Sequence, residues 1–191
     1  MKRTLPLLLS LAVTLAASAA PAPTLKAGEF SPARDAPEIA LRGSHGAELK
    51  LRHFRGKVVL MAFGFTHCPE VCPVTLATLA QARKRLGAAA ADVQVVYVTV
   101  DPERDTTERM RTYLAGFDPA FVGGTGAPAQ LEAVRKDYGI AARKVAMSGG
   151  YAIDHSSSIY LIDREGKLRA MMPYGHKADD FVHDVKVLLK K

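Results

Sequence analysis

Two short apolar runs frame the chain. Residues 58–63 read Val-Val-Leu-Met-Ala-Phe, and residues 93–100 form a second, β-branched run. Both are continuous rather than alternating and are bounded by turn residues, the pattern of strands covered on both faces. Helical spacing follows the first run over 74–86 and recurs over 130–138, where Gly139 stops it. Asp105 and Glu108 stand at capping-box spacing, which predicts a helix through Tyr113 to Phe117 with Asp105 as its cap and Asp101 ending the strand before it. A strand over 158–163, a turn at Arg164-Glu165-Gly166-Lys167 and a return strand over 168–172 make a hairpin. The closing helix, 179–189, places Phe181, Val182, Val185 and Leu188 on one face.

Upstream, residues 38–51 carry a Gly-Ser-His-Gly turn between short alternating stretches and predict a hairpin at the domain's edge. Residues 20–37, rich in Ala and Pro, read as a linker. The order strand, helix, strand, helix, hairpin, helix is that of a thioredoxin-like α/β sandwich. A central mixed sheet flanked by helices, with an N-terminal hairpin, is therefore expected in one domain over 38–191. At 191 residues and 48% hydrophobic composition the chain supports one well-cored domain and hardly two.

The first nineteen residues change the compartment. Met1-Lys2-Arg3, an apolar run over 5–17 and Ala17-Ser18-Ala19 form the basic start, apolar centre and small-residue end of a secretory signal peptide. An uncleaved anchor is the alternative, but spanning takes about 20 apolar residues, and this run is shorter and holds Pro6. No cysteine lies near the boundary, which excludes a lipid anchor there. The expected location is exported and periplasmic, or otherwise extracytoplasmic. The formal charge of +7 comes from scattered basic residues with no aromatic interleaving, so nucleic acid is not an expected partner. A mild attraction to an acidic partner or membrane surface is consistent with it.

The chemistry gathers at Gly64-Phe65-Thr66-His67-Cys68-Pro69-Glu70-Val71-Cys72-Pro73, which holds the chain's only two cysteines. Both precede proline, which disfavours right-handed helical angles at the cysteines. Pro73 suits a first helical position and puts Cys72 near the N-cap. Free amides and the positive end of the helix dipole would favour thiolates at such a place. In an oxidising compartment a structural disulfide is the plain alternative, but closing so short a loop stabilises little. Redox chemistry or a soft metal remains.

Of six histidines, topology selects one. In a thioredoxin-like order the first strand of the last hairpin runs antiparallel to the strand that feeds the cysteine loop. Its beginning, Asp154-His155-Ser156, therefore lies beside the thiols. Thioredoxins carry proline there, and no proline occurs here between Pro128 and Pro173. An imidazole beside two thiolates makes a three-ligand site suited to copper. His67 should point away if strand alternation persists, and His45, His53, His176 and His183 read as loop or surface residues. Met147, Met171 and Met172 read as core filler rather than axial ligands. A structural zinc would need four protein ligands, and only three converge. A peroxiredoxin would place threonine three residues before its reactive cysteine, where Phe65 and Pro69 stand.

The cysteine block, Asp101-Pro102-Glu103-Arg104-Asp105-Thr106 and Asp154-His155-Ser156 together resemble the Sco/SenC family of copper-handling proteins for cytochrome oxidase assembly. The resemblance covers nearly all of the chain after the linker. It implies Cys68, Cys72 and His155 as ligands to one copper, Cu(I) or Cu(II). It also implies a metallochaperone that serves the dinuclear copper centre of cytochrome c oxidase. That oxidase's copper-site subunit would be the acceptor, a copper donor chaperone a second partner, and the protein itself a monomer. The same resemblance allows a thiol–disulfide oxidoreductase, with Cys68 and Cys72 as redox pair, that reduces the acceptor's cysteines. Three residues between the cysteines, rather than two, stand against that enzyme. Family members are often held by an N-terminal transmembrane helix, longer than the apolar segment present here.

Overall fold

The computed structural model describes residues 24–190. The expected signal segment, 1–19, lies outside the described residues. No helix among the described residues is long and apolar enough to cross a membrane.

The core is built on β4 (Val58–Gly64) and β5 (Val93–Thr99), in which every residue is buried. They pair in parallel, with Val58 opposite Val93 and Gly64 opposite Thr99. The intervening α1 (Val71–Leu86) makes the crossover. Around them the chain lays β1 (Gly28–Asp35), β2 (Ala40–Gly43), β3 (Glu48–Lys50), β6 (Val122–Thr125), β9 (Ile159–Ile162) and β10 (Lys167–Met172). The resulting eight-stranded mixed sheet runs β1-β10-β9-β4-β5-β6-β2-β3. Three more helices complete the sandwich: α2 (Thr107–Ala115), α3 (Pro128–Tyr138) and α4 (Ala178–Leu189). Helices α1 and α4 pack together, and α4 buries Phe181, Val185 and Leu188, each contributing about 1.5–3 kcal/mol of transfer free energy. Tyr138 of α3 packs against Phe63 and Tyr160. This is the expected thioredoxin-like sandwich, with the β2–β3 hairpin at one edge.

Four local expectations fail. Residues 20–37 are not all linker, because β1 adds an edge strand to β10, with Gly28 opposite Met171 and Asp35 opposite Lys167. Its start is tied down by the wholly buried Asp184 carboxylate, which accepts from the Lys26 and Ala27 amides at 2.7 and 2.9 Å. Helix α1 opens at Val71 rather than Val74, with Glu70 as N-cap. Pro73 is thus the third helical residue, still inside the first turn, where a missing N–H breaks no bond. The cap of α2 is Thr106, whose hydroxyl accepts from the Arg109 amide at 3.2 Å; Asp105 is buried instead. Met172 is core, as expected, whereas Met147 is 62% exposed. It ends β7 (Ala142–Met147), which among the described residues pairs only with β8 (Gly150–His155), in a hairpin outside the main sheet. Gly149, with φ at +84°, makes the turn between them.

Candidate metal centre

Strand β4 delivers the chain to the cysteine loop, and α1 carries it away. Cys68 lies half-buried on the loop and Cys72 is buried in the first turn of α1, both as free thiols. Cys68 Sγ accepts from the Cys72 amide at 3.4 Å, so the sulfur takes one of the amides that a helix start leaves unpaired. Gly64 makes room for the second sulfur. A Cβ there would fall 2.1 Å from Tyr97 Oη and 2.8 Å from Cys72 Sγ, closer than any side chain tolerates. Tyr97, buried in β5, also donates to Phe65 O at 3.4 Å.

Burial decides the protonation of Cys72. Its thiol is pushed up to about 12, first by desolvation, with the Tyr97 hydroxyl and the Phe65 backbone opposing only in part. The expectation that the helix dipole favours a thiolate is therefore reversed at Cys72. Desolvation of a sulfur with 3% of its residue exposed outweighs a partial positive charge. A metal that binds there must displace the proton.

His155 ends β8, and its position follows from the pairing of β9 with β4, which sets Ile159 opposite Ala62. His155 Nε2 lies 3.7 Å from Cys72 Sγ. Its Nδ1 lies 2.8 Å from Ser156 O, which can only accept, so Nδ1 carries the proton and the Nε2 lone pair faces the sulfur. Cys72 Sγ, once deprotonated, and His155 Nε2 would both be donors suited to a soft or borderline metal ion. Cys72 thus touches both of the other residues, Cys68 through its amide and His155 through its sulfur. Among the described residues no group of three or more His, Cys, Asp or Glu side chains is placed so that it could hold a metal ion as it stands. His67 is exposed, its Nδ1 3.3 Å from Thr66 Oγ1. His176 and His183 sit against Asp180 and Asp184, and His45 and His53 are exposed.

Sequence reasoning missed the scaffold under the site. The Asp105 carboxylate accepts from the Thr66 amide at 3.0 Å, the Thr66 hydroxyl at 2.6 Å and the Thr99 hydroxyl at 2.7 Å. Arg109 Nε donates to the same Thr66 oxygen at 2.7 Å. A wholly buried carboxylate thereby ties the cysteine loop to the end of β5. Asp101, four residues earlier, is also buried; it pairs with Arg104 and accepts from the Tyr151 hydroxyl at 2.8 Å. The capping-box spacing concealed both roles, since it offered Asp105 a local job. A cavity of about 510 Å³ opens between α1 and the loop into α4, lined by Val74, Ile159, Tyr174 and His176 among others.

The SCO1/SenC family model matches residues 31–190. The bovine mitochondrial SCO2 homologue is 37% identical over 142 residues, 70% of this chain and 52% of that protein. The chain spans about half the length of the mammalian mitochondrial relatives it matches. Among solved structures, Bradyrhizobium japonicum ScoI with copper bound is 34% identical, with a TM-score of 0.75 over 81% of this chain and 99% of that one. Apo Sco1 from Thermus thermophilus is also 34% identical, with a TM-score of 0.78 over 87% and 98% of the two chains. With that match running from β1 past the end of α4, through both thiols and the imidazole, the chain belongs to the SCO1/SenC family.

Proposed function

We propose that this protein is a copper metallochaperone that holds one copper through Cys68 Sγ, Cys72 Sγ and His155 Nε2 and delivers it to the dinuclear copper centre of cytochrome c oxidase. The observation that carries this reading is the imidazole lone pair facing Cys72 Sγ at 3.7 Å, with a second free thiol, Cys68, bonded to the Cys72 amide at 3.4 Å. Two thiolates suit Cu(I), and the added imidazole makes Cu(II) tolerable. Relatives solved with copper bound support the choice of metal. Residues 1–19 would export the chain, placing the site outside the cytoplasm, as a monomer meeting its donor and acceptor there.

The second reading, a thiol–disulfide oxidoreductase acting on the acceptor's cysteines, has its own support. Cys68 is the more accessible thiol and Cys72 is buried one turn behind it, as an attacking and a resolving thiol would be. Cys68 would attack the partner disulfide and form a mixed disulfide. Cys72 would then displace the partner, leaving it a dithiol and this chain a Cys68–Cys72 disulfide. The two readings part in one comparison: transfer of copper to a purified oxidase copper domain against reduction of insulin with dithiothreitol supplied as the electron donor. Stoichiometric transfer that stops when the cysteine pair is pre-oxidised is the expected result. Rapid, repeated disulfide turnover without transfer would overturn the chaperone reading.

A further inference from the structure

The β7–β8 hairpin stands outside the eight-stranded sheet, so whatever holds it down also sets the place of His155. Alternation along β8 turns Tyr151, Ile153 and His155 towards the body of the molecule, with Ile153 buried and Asp154 exposed. Tyr151 carries the polar contacts. Its hydroxyl donates to Asp101 Oδ1 at 2.8 Å and lies 3.3 Å from Glu103 Oε2. The Arg104 guanidinium lies 3.9 Å from the Tyr151 ring centre, and its Nη1 donates to Tyr151 O at 3.1 Å. Its Nε pairs with Asp101, whose side chain is wholly buried. Lys144, on β7, adds its ammonium 4.5 Å from the same ring.

The chain of contacts continues to the metal centre. The Arg104 guanidinium also stands 5.7 Å from the ring of Phe65, on the cysteine loop. That ring meets the His155 imidazole edge-on at 5.8 Å. One cation therefore touches the loop after β5, the hairpin and the cysteine loop at once. A planar guanidinium can stack on one ring while its edge bonds a carboxylate, which an ammonium cannot do.

We propose that Arg104 and Tyr151 form a latch that docks the β7–β8 hairpin and so positions His155 opposite Cys72. They are positioning residues and touch no metal. Because the latch's hydrogen bonds hold the hairpin that carries the imidazole, while the thiols stand on a loop tied to Asp105, it tunes Cu(II) binding far more than Cu(I) binding. The effect on copper rests on the ligand set proposed above; the docking of His155 does not.

Tyr151→Leu tests this, since it keeps an apolar side chain on the hairpin but removes the hydroxyl and the stacking surface. Arg104→Lys is the second variant, because it retains a charge opposite Asp101 where Arg104→Ala would strand a buried carboxylate. In the reduced, metal-free protein, NMR contacts between the Phe65 and His155 rings should be lost in Tyr151→Leu and weakened in Arg104→Lys. On copper, Cu(II) affinity should fall by about tenfold or more, the range for groups that orient a ligand. Cu(I) affinity should change much less. The thiolate-to-copper absorption should move towards that of His155→Ala, and Tyr151→Leu should add nothing in the His155→Ala background. Ring contacts retained in both variants would overturn the latch, as would unchanged Cu(II) affinity and absorption in folded Tyr151→Leu. A wild-type protein that bound no copper would instead sink the chaperone reading, while the metal-free contacts still decided the latch.

Discussion

The cysteine loop and the β7–β8 hairpin both supply the proposed metal centre, but the fold holds them in opposite ways. The loop leaves a strand whose seven residues are all buried, enters a helix packed on α4, and rests on the buried carboxylate of Asp105. The hairpin has one strand, β7, exposed at five of its six positions, and it meets the body mainly through Tyr151, Ile153 and its own base. At that base Ser156 N bonds Ala141 O at 3.0 Å. Elements of the first kind open with the whole domain, and those of the second kind open locally. In the ligand set proposed above, the thiols would therefore be permanent ligands and the imidazole a conditional one. That division suits a cargo whose two oxidation states want different ligand sets.

The largest expected contrast comes from removing ligands on the two sides. Cys68→Ala or Cys72→Ala should abolish high-affinity binding of both copper states, because one thiolate with one imidazole holds Cu(I) poorly. His155→Ala should spare much of the Cu(I) affinity and weaken Cu(II). Competition titrations against chelators of known affinity, run separately for each oxidation state, measure both. Equal loss of Cu(I) from all three variants would erase the distinction between permanent and conditional ligands.

A smaller effect on stability should separate the same two regions. Asp105→Ala leaves the Thr66 amide and the Thr66 and Thr99 hydroxyls without their acceptor. Urea denaturation should show a loss of about 2–4 kcal/mol, the scale for stranded buried donors. Arg143→Ala on the hairpin removes only a pair to Asp154 in which both side chains are more than 70% exposed. It should change stability by less than about 0.5 kcal/mol. Comparable losses at the two positions would mean that the hairpin is as integral to the fold as the loop.

How much of this was legible in the sequence follows the same line. Strands β4 and β5 announce themselves because strands covered on both faces must be apolar throughout. The antiparallel return of β9 was enough to bring His155 towards the loop without any knowledge of the hairpin that carries it. Strand β1 was hidden, since no position along it is fully buried and no alternation marks it. What makes β1 a strand is the open edge of β10 and the anchor at Asp184, both remote in sequence. Strand β7 was silent for the same reason, reading Ala-Arg-Lys-Val-Ala-Met with almost nothing buried. Asp105 misled because a carboxylate three residues before Glu108 fits a local capping pattern. Its actual partners, Thr66 and Thr99, are brought to it by the parallel pairing of β4 with β5.

The protonation of Cys72 offers the smallest and most local test of how deeply the loop is embedded. At a helix start with solvent access, the dipole would lower a thiol below its ordinary 9.0; burial instead pushes Cys72 up to about 12. Thiolate is the species that reacts with iodoacetamide, so the rate at Cys72 in the reduced, metal-free protein should climb about tenfold per pH unit from 7 to 10 without levelling. Peptide mass spectrometry resolves Cys72 from Cys68, and a plateau at Cys72 by about pH 10, where a thiol at its ordinary 9.0 levels off, would show that the loop opens to water. The same shift carries a stability consequence. Unfolded Cys72 ionises near 9, while the folded thiol keeps its proton until about 12, so the folded state binds more protons in between. The contribution is fully present below about pH 9 and is lost progressively as pH rises towards 12. In Cys72→Ser, where position 72 no longer titrates, that part of the slope should vanish. A slope equal in the two proteins would place Cys72 in water, and the loop would then belong with the hairpin among the locally opening parts of the fold.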